Sequence, residues 1–219
     1  MDLKKARKEE QRQDAERRKQ EMIAAAAACF GRKGIENTSI ADIAREAGYG
    51  EATIYRYFSA KENLVLECGI WFWQQVYEFF KNKSNGEGYM QQNGMQQTET
   101  LMHGALEFYQ KRPHLFRFIH DLDSIVLSAR AGETVKKKYE QSVDSLRPFL
   151  LAALEKGKAD GSLARPETAD ELYYTLTNGI FSMMQKQAAA PELLETDKTI
   201  NSMRKTELLV ELLIAALKT

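Results

Sequence analysis

The sequence predicts an all-α fold, in which a three-helix N-terminal unit precedes a longer helical region. Three observations carry this. Apolar residues recur at spacings of three and four from Met22 to the C-terminus. Alternating apolar and polar segments bounded by hairpin turns are missing. The stretch from Ser39 to Phe58 divides into two short helices on either side of an Ala-Gly turn.

In chain order, the first helix is expected over about Arg7 to Arg32. It is polar at first, then apolar through Met22, Ile23, Ala26, Ala27 and Phe30, and Gly34 ends it. A long helix from Lys61 to about Lys83 carries the aromatic cluster Trp71, Phe72, Trp73, Tyr77, Phe79 and Phe80. Residues 82–95, rich in Gly, Asn, Ser and Gln, read as a mobile loop. Further helices are expected over about 96–110, 113–128 (opened by Pro113), 133–158, 167–188 and 201–217. Pro148 is expected to kink or divide the third of these, Gly157 and Gly161 signal its end, and Pro166 marks the start of the next. A boundary at residue 62 would divide the chain into 1–62 and 63–219.

Composition narrows the function classes. At 219 residues, 43% apolar and 28% charged, the chain can bury a core and is too apolar to be disordered. The longest nearly unbroken apolar run, Met22 to Phe30, is too short to span a membrane. The segment Asp2 to Glu21 is charged and lacks the apolar stretch of a secretory signal, so a cytoplasmic location is expected. Cys29 and Cys68 stand alone among apolar neighbours and read as reduced, buried thiols, and the histidines His103, His114 and His120 lack metal-ligand spacing. The formal net charge is zero, but residues 1–61 carry 13 Lys and Arg against 10 Asp and Glu, which puts the basic excess at the N-terminal end.

The informative stretch is Thr38 to Phe58. Ser39 can cap the first short helix, and Asp42 three residues on completes a box-like arrangement at the positive helix end. Ile40, Ile43, Ala44 and Ala47 form one apolar stripe, the small alanines allow a second helix to approach steeply, and Gly48 can take the positive φ that ends the first. In the second helix Ile54 and Phe58 point inward. Thr53, Tyr55, Arg56 and part of Tyr57 remain outside, where hydroxyls, a guanidinium and rings suit phosphates, thymine methyls and base edges in a major groove. Lys61 then opens the next helix, where its side chain and the backbone amides together can grip a phosphate. By itself the pattern also fits a tight helical hairpin packed for stability alone.

Residues 20–66 resemble the N-terminal domain of TetR-family transcriptional repressors. The resemblance rests on Phe30, Gly34, Thr38-Ser39, Ile43-Ala44, Ala47-Gly48, Tyr55-Arg56-Tyr57-Phe58 and Lys61-Glu62, in the family's order and spacing. It implies DNA contacts at Thr38 and Ser39 for phosphate, at Glu51, Ala52 and Thr53 for bases or the groove wall, at Tyr55, Arg56 and Tyr57 for phosphates and thymine methyls, and at Lys61 for phosphate. Members commonly carry Ser then Lys where this chain has Gly50 and Glu51, so a helix cap and a phosphate contact are lost there. Glu51 either accepts from a cytosine amino group or keeps clear of the backbone it would repel. Arg56 stands where His is usual and brings a permanent charge. Lys4 to Lys19, basic residues alternating with acids, form either a solvated helical face or a flexible arm lying against DNA.

In that family the C-terminal helices form a ligand cavity and a dimer interface. A cavity here would draw on Trp71, Tyr77, Phe108, Phe116, Phe118, Tyr139, Tyr174, Phe181, Met183 and Met184, an aromatic-rich, acid-poor set that suits a small hydrophobic or planar ligand. Each of these aromatics also fits an ordinary core. A dimer would pair the last two helices, with small residues Thr175, Gly179 and Ser182 allowing close approach. Leu208, Leu209, Leu212, Leu213, Ala216 and Leu217 offer a broad apolar face, unless that face only closes its own domain. No nucleophile–base pair, phosphate-cradling glycine loop or metal-ligand set occurs, so neither catalysis nor a cofactor or metal is expected. The function expected is that of a DNA-binding transcriptional regulator, foremost a dimeric repressor of a palindromic operator released by a small molecule. An activator, or a protein that uses the N-terminal helices against another protein, is the alternative.

Overall fold

The computed structural model describes residues 3–127, 133–192 and 195–218. These form α1 (Leu3–Lys33), α2 (Ile40–Ala47), α3 (Glu51–Phe58), α4 (Lys61–Ser84), α5 (Gly94–Lys111), α6 (Pro113–Leu127), α7 (Glu133–Asp144), α8 (Arg147–Ala159), α9 (Ala169–Ala189), a 3₁₀ turn (Glu195–Thr199) and α10 (Ser202–Leu217), with no strand among the described residues. Among the described residues, no helix is long and apolar enough to cross a membrane.

α1 starts earlier than expected because its polar half is laced by helical ion pairs, Arg12 to Glu9 and Arg17 to both Asp14 and Glu21. Lys19 reaches across to Glu67 of α4 at 3.1 Å. The basic stretch is therefore helix from Leu3 onward rather than a flexible arm. Gly34, at φ 84°, turns the chain out of α1.

Pro148 divides the region 133–158 into α7 and α8. It sits in the first turn of α8, where its missing N–H has no intrahelical partner to lose. Gly157 does not end this helix. It lies buried where α8 crosses α5, so close that a Cβ on Gly94 would come within 1.9 Å of the Gly157 nitrogen. Gly161, at φ 74°, follows the helix end instead. The expected end of the preceding helix at residue 128 lies outside the described residues.

The segment between α4 and α5 is tied down rather than mobile. Tyr89 is buried against Leu101 and Ala153, and its carbonyl accepts from the Gln97 amide at 2.8 Å. Lys156 Nζ donates to the Gln92 carbonyl at 2.6 Å, and an Asn93–Gln96 capping box closes the start of α5.

The main core is continuous from Met22 to Leu217. Phe30 of α1 stacks on Phe118 of α6 with ring centroids 5.7 Å apart. Phe72, Phe108 and Phe116 meet edge to face in the centre. The expected boundary at residue 62 falls in the first turn of α4, which joins the N-terminal unit to the rest.

Candidate nucleic-acid interface and ligand cavity

The N-terminal unit is shaped by its helix ends. Ser39 Oγ accepts from the Asp42 amide at 3.1 Å, while Asp42 Oδ2 accepts from the Ser39 amide at 3.1 Å and the Ser39 hydroxyl at 2.8 Å. Lys33 Nζ reaches Asp42 Oδ1 at 2.8 Å, and this hydrogen bond, followed by those from Ser39, holds the carboxyl well below the usual carboxylate range. Gly48 ends α2 in the left-handed region at φ 73°. Ile43 and Ala44 of α2 and Ile54 and Phe58 of α3 are buried with Met22, Ile23 and Phe30, as the apolar stripes require. The Tyr49 hydroxyl of the interhelical turn donates to Glu21 of α1.

α3 turns its other side outward. Glu51, Ala52, Tyr55 and Arg56 are exposed, Thr53 and Tyr57 half-buried, and the Arg56 guanidinium lies 5.9 Å from the Tyr57 ring centroid. Gly50 begins the helix with no side-chain cap, as the missing Ser implies. Ser59 takes φ 64°, and the Ala60 amide donates to the Phe58 carbonyl at 2.7 Å, so the chain reverses in a single tight turn. Asn63 Nδ2 also donates to the Phe58 carbonyl, a corner-locking contact that the sequence did not single out. α4 then starts at Lys61, with Ala60 as an N-cap that offers no side-chain hydrogen bond, so its first amides are left without a side-chain acceptor just after the turn from α3.

Thr38 and Ser39 are placed differently. Thr38 is buried, 1% exposed, and its hydroxyl donates to the Gly34 carbonyl at 2.7 Å. The Ser39 hydroxyl is committed to Asp42. Neither hydroxyl is free for the phosphate contact that the resemblance implies, because each stabilises the turn between α1 and α2.

Beyond this unit, helices α4 to α9 line a cavity of about 460 Å³ that is open on one side. Of the ten aromatic and methionine residues favoured from sequence, Tyr139, Tyr174 and Phe181 line it, and Trp71, Tyr77, Phe108, Phe116, Phe118, Met183 and Met184 do not. Phe108, Phe116, Phe118 and Met184 are fully buried in the core, packed ring on ring or against neighbouring helices. Trp73, Phe80, Phe149 and Tyr173 take their places in the lining, together with Ser182, which was expected at a dimer interface. The lining is not acid-poor. Asp123 and Asp144 both belong to it, and Asp123 accepts from the Tyr139 hydroxyl at 2.8 Å and from Gln185 Nε2 at 2.7 Å. Burial, and then the Asp123 charge, push the Tyr139 phenol strongly upward. An aspartate four residues after Ile119 and three before Val126, both buried, was the signal available in the sequence.

Residues 22–68 match the family model for bacterial regulatory proteins of the tetR family. The N-terminal domain is a TetR-family helix-turn-helix domain. The fold of the whole chain resembles solved TetR-type regulators. A TetR-family transcriptional regulator from Agrobacterium tumefaciens aligns with a TM-score of 0.71 at 18% identity, over 93% of this chain and 99% of that one. FadR from Bacillus subtilis, solved with stearoyl-CoA, aligns with a TM-score of 0.66 at 14% identity, over 89% and 97%. The ketosteroid regulator KstR2 of Mycobacterium tuberculosis aligns with a TM-score of 0.64 at 16% identity, over 92% and 95%. At these identities the likeness is one of fold. No curated protein sequence matches the chain.

The TetR-type domain is joined to the cavity through α6 as well as α4. Arg117 Nη1 of α6 donates to the Arg32 carbonyl of α1 at 3.4 Å, six residues before Asp123 enters the cavity wall. Thr175 and Gly179 of α9 are exposed, and a Cβ at Gly179 would meet nothing within 4 Å. Leu208 and Leu212 of α10 are 39% and 59% exposed, Leu209 and Leu213 half-buried, and Leu217 buried.

Proposed function

We propose that this protein is a dimeric transcriptional repressor that binds a palindromic operator and releases it when a small molecule occupies the cavity. The observation that carries the DNA half is the exposed face of α3, with Tyr55 and Arg56 set beside the uncapped start of α4 and Lys61. Glu51, Ala52 and Thr53 would face the bases or groove wall, Gly50 would let the chain approach closely, and Tyr55, Arg56, Tyr57 and Lys61 would hold the backbone. Residues 1–62 form the DNA-binding domain in this account, and 63–219 the ligand-binding and dimerisation domain, in a cytoplasmic protein.

Dimerisation is supported by the exposed leucines Leu208 and Leu212 and by the small residues Thr175 and Gly179, which intrachain packing does not require. Ligand control is supported by the aromatic-walled cavity and by the likeness in fold to FadR solved with stearoyl-CoA. A ligand would release DNA only to the extent that it binds better to the conformation with mismatched recognition helices, and α4 and α6 are the elements that touch both ends. Footprinting on genomic fragments retained by the protein tests this. A protected two-fold symmetric site with half-sites about one helical turn or a multiple apart is expected. Absent or salt-insensitive binding to every fragment would overturn it.

A further inference from the structure

We propose that the cavity is built for an amphiphilic organic cation, a bulky apolar molecule that carries a delocalised or quaternary positive charge. The proposal rests on the ligand-cavity reading above and names the chemical class of the occupant.

Asp123 is the centre of the argument. Both its oxygens accept hydrogen bonds, from the Tyr139 hydroxyl and the Gln185 amide, and both donors are neutral. Among the described residues the cavity lining holds no Lys, Arg or His, while it holds a second carboxylate, Asp144, on its exposed side. Arg147, which shares an outer depression with Asp144 and Tyr174, is engaged by Asp170. A carboxylate set in an apolar wall without a cation is costly, and a cation supplied by the guest offsets that cost. An anionic guest would face two carboxylates with no compensating charge among the described residues.

The walls suit the same class. Trp73, Tyr139, Phe149, Tyr173 and Phe181 surround the space with aromatic rings, whose faces attract a weakly hydrated organic cation and exclude water from it. Trp73, only 6% exposed, stacks on Phe181 with centroids 5.1 Å apart.

Tetraphenylphosphonium and tetraphenylborate, alike in shape and opposite in charge, test the proposal through tryptophan fluorescence quenching of the full chain, with N-phenyl-1-naphthylamine as a neutral probe of the cavity. Saturable phosphonium binding, about tenfold or more tighter than borate binding, is expected, and Asp123→Asn should abolish that preference. Equal binding of the two ions, or a preference that survives Asp123→Asn, overturns the cation inference. Binding of the neutral probe without the phosphonium overturns it while the cavity reading stands. If none of the three binds, the cavity reading falls as well.

Discussion

Gly31 of α1 lies against the main chain of His114 at the start of α6, where an added Cβ would stand 2.5 Å from the His114 carbonyl oxygen. The contact joins the DNA-facing unit to the helix that carries Asp123 into the cavity wall. Backbone cannot retreat from a methyl as a flexible side chain can, so Gly31→Ala should destabilise the protein by about 1–3 kcal/mol. Thermal or denaturant unfolding reads this out. An unchanged midpoint would mean that the two helices are not locked as described.

Ser39 separates a structural role from a DNA contact. Its hydroxyl closes the capping box of α2, so Ser39→Ala should cost about 1 kcal/mol of stability. The slope of operator affinity against salt should stay the same, since no phosphate contact is lost. A slope reduced by about one unit would restore the phosphate role that the resemblance implied.

Asp42 gives that capping box a pH dependence. Its folded-state pKa lies below the ordinary value of 3.8, first through Lys33 and then through Ser39. A group depressed on folding adds stability that is complete above its unfolded value and is lost as pH falls through the folded one. The melting temperature of the wild type relative to Asp42→Asn should therefore be constant above about pH 5 and shrink below about pH 4. A difference that does not change with pH would contradict the assignment.

Tyr89 holds the segment between α4 and α5. Removing its ring leaves a void between Leu101 and Ala153, so Tyr89→Ala should cost about 3 kcal/mol and open residues 85–93 to limited proteolysis. Cleavage at the same rate in both proteins would show that the segment is loose already.

The helix-turn-helix is legible in the sequence because its determinants are local: Ser39, Asp42 and Gly48 act within a turn of where they stand. The same locality made Pro148 readable as a break. Gly157 was not, because its use depends on Gly94, which is distant in sequence. Nor was the inward turn of Thr38, since a Thr-Ser pair offers two equivalent hydroxyls and only the approach of Gly34 decides between them. In the second region, aromatic spacing places rings on helix faces but does not tell a ring that meets another ring, such as Phe108, from one that borders open space, such as Trp73. Asp123 marks the cavity better than any aromatic, because a carboxylate on an apolar stripe needs a partner.

The central claim is that the exposed face of α3 and the start of α4 bind DNA. Operator affinity of Tyr55→Ala and Lys61→Ala, each checked for an unchanged melting curve, tests it most directly. Both side chains stand outside the core, so folding should survive while affinity at moderate salt falls by about 1–3 kcal/mol, and Lys61→Ala should lower the salt slope by about one. Unchanged affinity in two well-folded variants would contradict the account.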